Sequence, residues 1–415
     1  MSKMPPERSR SPSNTNFRKS THAIRFHPTQ MIFQNARVIL PDKIEPNASV
    51  RILEDRIVDV GPTLKPDGSE AVLDLEGAFL SPGFIDIHVH GAKLRDTMEA
   101  SPEAFAAITE FHLTGGTTSL ALTTVTATHS DILKVLHAVD QLDPETFPGS
   151  RILGVHIEGP YFSPAKPGAH VQELIRHPNP SEYREWLEYR HLITQMTFAP
   201  ELPGALELID SLLEAGIKPS AGHSAAWDDE VAAAAARGLR QTTHTFNCMS
   251  SARKRGPERV AGLVEFAMAE PDFMCELIAD GAHVSPTLMR ALYRAKGPDH
   301  IALVTDAAGG AGLPEGTPFQ IGDIRGVVGK TASWLEDGSA LCSSTSRMND
   351  LVRNMTRIVG APLHESVRMA SLNPARAIGI DHTTGSIAPN MKADLLVLDE
   401  NLDVKLAFIS GRRRI

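Results

Sequence analysis

Eight short β-rich runs alternate with helical stretches through the middle of the chain, and this alternation limits the fold more than any other feature. The runs are IDIHVH, TTSLALTT, RILGVHIE, MTFAP, KPSAGHS, QTTHTFN, MCELIAD and IALVTDA. Stretches such as DDEVAAAAARGL and PTLMRALYRAKG lie between them and carry helical spacing and helix-forming residues. Strands alternating with helices give parallel sheets with crossover helices. Eight such units close into a TIM barrel, a (β/α)8 α/β fold, expected here over residues 81–380.

The flanks read differently. MIFQNARVIL (31–40), VRILEDRIVDV (50–60) and AVLDLEGAFL (71–80) are short strands separated by turn residues. The closing stretch, GSIAPNMKADLLVLDENLDVKLAFISGRRRI, again reads as strands with polar turns. Residues 31–80 and 381–415 are therefore expected to pair into one small β-sandwich built from both chain ends. Residues 1–30 are rich in Ser, Pro, Arg and Asn and are expected to be a disordered, mildly basic extension. They lack the continuous apolar core of a secretory signal.

Composition narrows the partners. The chain has 415 residues, is 42% hydrophobic and carries a formal charge of −9 with a pI near 6.0. That balance argues against a nucleic-acid partner. No apolar run reaches the length of a membrane span, so no membrane partner is expected. A small anionic ligand stays open, because it feels the local site more than the net charge. Cys248, Cys275 and Cys342 are scattered and odd in number, which fits a reducing cytoplasm.

In a barrel of this kind the chemistry sits at the carboxyl ends of the strands. Those ends carry His88 and His90, Glu158, His223, His244 and Asp306. His88 and His90 are spaced i, i+2 and so face the same side of a strand. A single buried histidine is ordinarily a satisfied core residue. Four imidazoles and two carboxylates converging on one barrel mouth would instead be costly to bury unpaired. A divalent metal removes that cost, and mixed nitrogen and oxygen ligation suits zinc, with iron or manganese as alternatives. His156, two residues before Glu158, is expected to orient that carboxylate. His112, His129, His137, His191, His300, His364 and His382 lie on helical or loop stretches without ligand partners.

PGFIDIHVHG, HIEGPYFSPAKPGAH, SAGHS, THTFNCM, ADGAHV, LVTDA and ASLNPARAIG, in this order, resemble the N-acetylglucosamine-6-phosphate deacetylases of the amidohydrolase superfamily. The resemblance covers roughly residues 31–415. It implies Glu158, His223 and His244 as core metal ligands, with His88 and His90 supporting a second metal, so one or two ions per subunit. It implies Asp306 as catalytic acid/base, and Ala169, His170 and His283 beside the sugar and acetamide. Asn247 and Cys248 would offer backbone to the phosphate side. Arg255 would reach a neighbouring subunit's phosphate in a homodimer, with Arg253 and Lys254 as rivals for that place. The substrate loop matches Leu341, Cys342 and Ser343, with serine where the family usually has glycine.

The expected reaction is hydrolysis of the acetamide of N-acetyl-D-glucosamine 6-phosphate, a small phosphorylated amino sugar. Two rivals stand beside it. One is a metal-dependent deacetylase of another N-acetyl amino sugar or N-acyl compound, motivated by Ser343. The other is a non-catalytic barrel, disfavoured because such proteins usually lose the ligands kept here.

Overall fold

A computed structural model describes residues 30–62, 64–66, 68–143 and 147–415. The expected N-terminal extension lies outside the described residues apart from Gln30, which opens the first strand.

Eight parallel strands form the barrel wall, each bonded to the next in chain order. They are β1 (Phe84–Val89), β2 (Thr117–Thr123), β3 (Arg151–Glu158), β4 (Ile193–Phe198), β5 (Lys218–Ala221), β6 (Gln241–Thr242), β7 (Met274–Leu277) and β8 (Ile301–Leu303). A helix follows each: α1 (Pro102–Leu113), α2 (His129–Asp140), α3 (Pro180–Trp186), α4 (Ala205–Glu214), α5 (Asp228–Ala236), α6 (Leu263–Ala269), α7 (Pro286–Lys296) and α8 (Met348–Asn354). The helices start where the sequence signals a start. Ser101 caps α1 by accepting the Ala104 N–H, with Pro102 in the first turn, and Thr128 caps α2 in the same way. On α4 the stripe Ala205, Leu208, Ile209 and Leu212 is buried against the wall, the i, i+3, i+4, i+7 pattern of an amphipathic helix.

The seam between β8 and β1 closes through a side chain as well as backbone. Asp86 accepts from Thr305 Oγ1 at 2.6 Å and from the Thr305 N–H at 3.2 Å. Beside it, Asp306 N donates to His88 O and His90 N donates to Ala307 O. Burial pushes the Asp86 carboxyl up to about 7, against the hydrogen bonds from Thr305 and His88. This clasp fixes the end of β1, which bears His88, beside the segment that bears Asp306. On the outer side of β1, Ile85 and Ile87 pack with Ala375 and Ala377 of the ASLNPARAIG stretch. Asn373 there donates to Ile301 O at 2.7 Å and Pro298 O at 2.6 Å, anchoring the start of β8.

The chain ends form one mixed sheet of eight strands, in which Phe79–Pro82 pairs antiparallel with Leu395–Leu398. Phe33 and Phe408 lie three places apart in its hydrogen-bonded order. Flat, they would be roughly 14 Å apart. Their rings meet edge-on at 5.1 Å. The sheet therefore curls over itself, and the two facing layers belong to one continuous sheet. Register shifts at Phe33/Ala36 and Ala36/Val38 help it bend. Arg151, at the start of β3, ties the sheet to the barrel by a two-pronged pair with buried Asp394, at 2.8 and 2.9 Å.

A four-stranded antiparallel meander, not marked in the sequence reading, follows β8. Its strands are Pro318–Ile321, Ile324–Val328, Ala332–Leu335 and Leu341–Ser344. Phe319, Ile321, Ile324 and Val328 bury a small core with Val125 and Ala308, and Ala169 packs against it. The meander thus covers part of the barrel mouth.

Candidate active site

The ladders stop before the polar residues. β5 ends at Ala221, β6 at Thr242 and β8 at Leu303, so His223, His244 and Asp306 lie beyond their strands. All three take left-handed backbone, with φ of 47°, 33° and 49°. Non-glycine residues there cost on the order of 1–3 kcal/mol each and cluster at functional sites. The sharp turns aim the three side chains at the barrel axis, where straight strands would carry them past it.

The two histidines converge on Glu158, only 1% exposed, at the end of β3. Its two oxygens face different partners. Oε1 lies 3.0 Å from His244 Nε2 and 3.4 Å from His223 Nε2, and those two nitrogens are 3.1 Å apart. Oε2 lies 3.2 Å from His90 Nε2, 3.6 Å from His88 Nε2 and 3.5 Å from His170 Nε2. His88 and His90 bring their Nε2 atoms within 3.1 Å of each other. Asp306 Oδ1 joins them at 3.5 and 3.2 Å. Two donor groups therefore share one carboxylate.

This donor set fits divalent cations. Glu158 Oε2 is buried without a hydrogen-bond partner among the described residues. Two pairs of imidazole nitrogens converge beside that carboxylate, and His88, His90 and Glu158 lie close enough to hold one ion together. Imidazole and carboxylate donors in this number suit zinc and its neighbours.

The electrostatics support ionised carboxylates. Burial alone would raise the Asp306 carboxyl, but His88 and His90 outweigh it and hold it well below the carboxylate range. Burial likewise opposes ionisation of Glu158, yet His88, with the His170, His223 and His244 rings beside its oxygens, holds it low. His170 is pulled down to about 4 by burial, against Glu158, and so is neutral. Its Nδ1 accepts the Thr126 N–H at 3.2 Å, which leaves the proton on Nε2, the atom facing the site.

His156 differs from expectation. It makes no hydrogen bond to Glu158. Its Nε2 meets Thr197 Oγ1 at 2.7 Å, and its ring packs edge-on against His88 at 4.7 Å. Burial and the neighbouring His88 keep it well below the imidazole range.

Most other expected residues surround this centre. His283 Nδ1 is 2.6 Å from Asp280 Oδ2, and against burial that carboxylate raises the imidazole above its usual value. Asn247 Nδ2 donates to His244 O, and Cys248 has a left-handed φ of 51°. Gly168, beside Ala169, is pressed so closely on Cys248 and His223 that a Cβ would sit 2.7 Å from Cys248 Sγ. Ser344 N donates to Asp306 O, which docks strand Leu341–Ser344 on the site. Ser343 is fully buried in that strand opposite Ser333 and does not have positive φ, so serine meets the backbone demand there. Arg255 stands apart on a hairpin (Arg253–Arg255 with Glu258–Val260), about half exposed and paired with Asp229 at 3.0 Å. Glu276, Asp280 and Gln195 were not among the expected site residues. None of them stands next but one to a histidine, the spacing that marks His88 and His90.

A (β/α)8 barrel with a histidine–carboxylate centre at the carboxyl ends of its strands is the build of a barrel hydrolase. The chain belongs to the amidohydrolase family, whose model matches residues 79–414. N-acetylgalactosamine-6-phosphate deacetylase of Escherichia coli O157:H7 is 34% identical over 346 residues, 82% of this chain and 89% of that protein. N-acetylglucosamine-6-phosphate deacetylase of Vibrio furnissii is 30% identical over 385 residues, 92% of this chain and 94% of that one. An alanine variant of the Mycobacterium smegmatis N-acetyl-D-glucosamine-6-phosphate deacetylase, solved in complex with N-acetyl-D-glucosamine 6-phosphate, superposes with a TM-score of 0.86. It is 29% identical and covers 93% of this chain and 100% of that one.

Proposed function

We propose that this protein hydrolyses the acetamide of N-acetyl-D-glucosamine 6-phosphate, giving D-glucosamine 6-phosphate and acetate. The observation that carries the reading is the Asp306 carboxylate set beside two imidazole clusters that share Glu158. Glu158, His223 and His244 would hold a divalent ion, zinc foremost, and His88 and His90 a second; such ions would lower the pKa of water and polarise the carbonyl. Asp306 takes the proton from the attacking water and delivers it to the nitrogen as the C–N bond breaks. His170 Nε2–H donates to the carbonyl oxygen as charge develops there. His283, steadied by Asp280, and Ala169 line the sugar side, and Leu341, Cys342 and Ser343 close the mouth beside Asp306.

The phosphate is read as held by backbone at Asn247 and Cys248 and by Arg255 from a second copy in a homodimer. In favour of this, Arg255 sits on an exposed hairpin, and its surface pair with Asp229 is of the weak kind that an incoming phosphate can replace. We read residues 81–380 as the catalytic domain, and residues 31–80 with 381–415 as its β domain. A cytoplasmic location suits the three unpaired cysteines.

The 34% identity to a galactosamine-type deacetylase favours a second reading, in which the epimeric N-acetylgalactosamine 6-phosphate is the better substrate. Acetate release should be measured on both sugar phosphates and both free sugars. Fast release confined to phosphorylated sugars is expected, and the ratio of kcat/KM values chooses between the epimers. Equal turnover of the unphosphorylated sugars would overturn the phosphate site.

A further inference from the structure

We infer that Glu276 is a positioning residue for the metal centre: it presents His88 as a ligand through Nε2. The inference rests on the two-cluster reading above. Glu276 lies on β7 inside the barrel and is fully buried. Among the described residues it has no Lys or Arg partner within salt-bridge distance. Four donors from other segments meet it instead. Oε1 accepts from Gln195 Nε2 at 2.9 Å and Gln241 Nε2 at 3.2 Å. Oε2 lies 3.2 Å from the His244 N–H and 3.2 Å from His88 Nδ1.

Three of these contacts are fixed as donors. His244 gives a backbone N–H. Gln195 Nε2 also donates to Ile87 O at 3.1 Å, which settles its amide orientation. Gln241 Nε2 donates to Gln195 Oε1, which settles the second. Both carboxyl oxygens therefore act as acceptors, and the fourth contact is satisfied when His88 carries its hydrogen on Nδ1. Nε2 of His88, 3.6 Å from Glu158 Oε2 and 3.5 Å from Asp306 Oδ1, is then the nitrogen left to bind an ion between those carboxylates. A carboxylate behind a histidine fixes the tautomer and ring angle of a metal ligand and raises its basicity. The same Oε2 holds the backbone of His244, which sits in a strained left-handed turn. Glu276 thus braces one ligand from each donor group.

Metal titration of stripped protein tests this in wild type, E276Q, H88Q and the double variant, reading equivalents bound and dissociation constants for zinc. Wild type is expected to take two equivalents. E276Q should fold and weaken one of them by about 10- to 100-fold. At the site that H88Q weakens, the double variant should bind no worse than H88Q, because both changes remove the contact between His88 and Glu276. Wild-type binding in E276Q, or losses that simply add, would overturn the inference. A single equivalent in wild type, indifferent to H88Q, would overturn it together with the two-cluster reading. Two coupled equivalents without acetate release would overturn only the proposed activity. Should E276Q not fold, 15N-histidine spectra of zinc-loaded wild type, assigned with H88Q, give the answer directly. The hydrogen on Nδ1 of His88 supports the inference, and a hydrogen on Nε2 overturns it.

Discussion

Asp306 is the residue on which the proposed chemistry turns. It is half-buried, held well below the carboxylate range by His88 and His90 against burial, and within 3.2 Å of His90 Nε2. Replacing it with asparagine keeps the shape and removes the base. D306N should lower kcat by roughly 10²- to 10⁴-fold, with bound metal measured by elemental analysis falling by one equivalent at most. Near-normal acetate release by D306N would refute the assignment. His170 makes a second, milder case. Loss of its Nε2–H donor in H170N should cost about 10²-fold in kcat while metal content holds, and a drop confined to KM would place it in binding instead. The paired residues of this site were legible in the sequence, because HxH and HxE spacing puts two polar groups on one strand face. Glu276 and Asp86 were not. A carboxylate in MCELIAD or FIDIH looks the same whether it braces a ligand or clasps a seam, and only its partners across the barrel distinguish the two.

Elements explain what spacing could not foresee. Eight strand–helix units were readable from alternation, but the runs overstated the strands: QTTHTFN contributes only Gln241–Thr242. The remainder turns through His244, whose φ of 33° no hydropathy pattern encodes. The meander leaves little trace in the sequence because its strands are four or five residues long and its turns repeat the polar, glycine-bearing composition of an ordinary loop. The loop after β3 is a sharper test of element geometry. Gly168 has φ +60°, and a Cβ there would crowd Cys248 Sγ at 2.7 Å and His223 Cε1 at 3.1 Å. G168A must move either this loop, with His170, or His223. A shift of about 1 Å can cost on the order of 10²-fold, so kcat/KM for acetate release should fall at least tenfold with little change in melting temperature. Unchanged kcat/KM would mean that the loop does not hold His170 in place.

At the scale of the whole molecule, the barrel and the curled sheet are joined by the Arg151–Asp394 pair, whose carboxylate is about 2% exposed. Removing one partner of a buried pair costs about 3–5 kcal/mol. Burial would raise the Asp394 carboxyl, but Arg151 overrides it and holds it below its ordinary value. A depressed folded pKa contributes stability above the unfolded value, near 3.9, and that stability is lost as pH falls through the folded pKa. The melting temperature of D394N should therefore lie well below wild type at pH 7, and the gap should narrow below about pH 4. A gap independent of pH would assign the loss to packing.

The proposed metal dependence of the hydrolysis draws on every scale, from strained turns to the closed barrel. Its most direct test follows acetate release from N-acetyl-D-glucosamine 6-phosphate as chelator-stripped protein is titrated with zinc. Activity is predicted to be absent at the start, to rise with bound metal, and to level off at two equivalents or fewer per chain. Full activity in verified metal-free protein, or none after both ions are bound with either epimeric sugar phosphate as substrate, would contradict it.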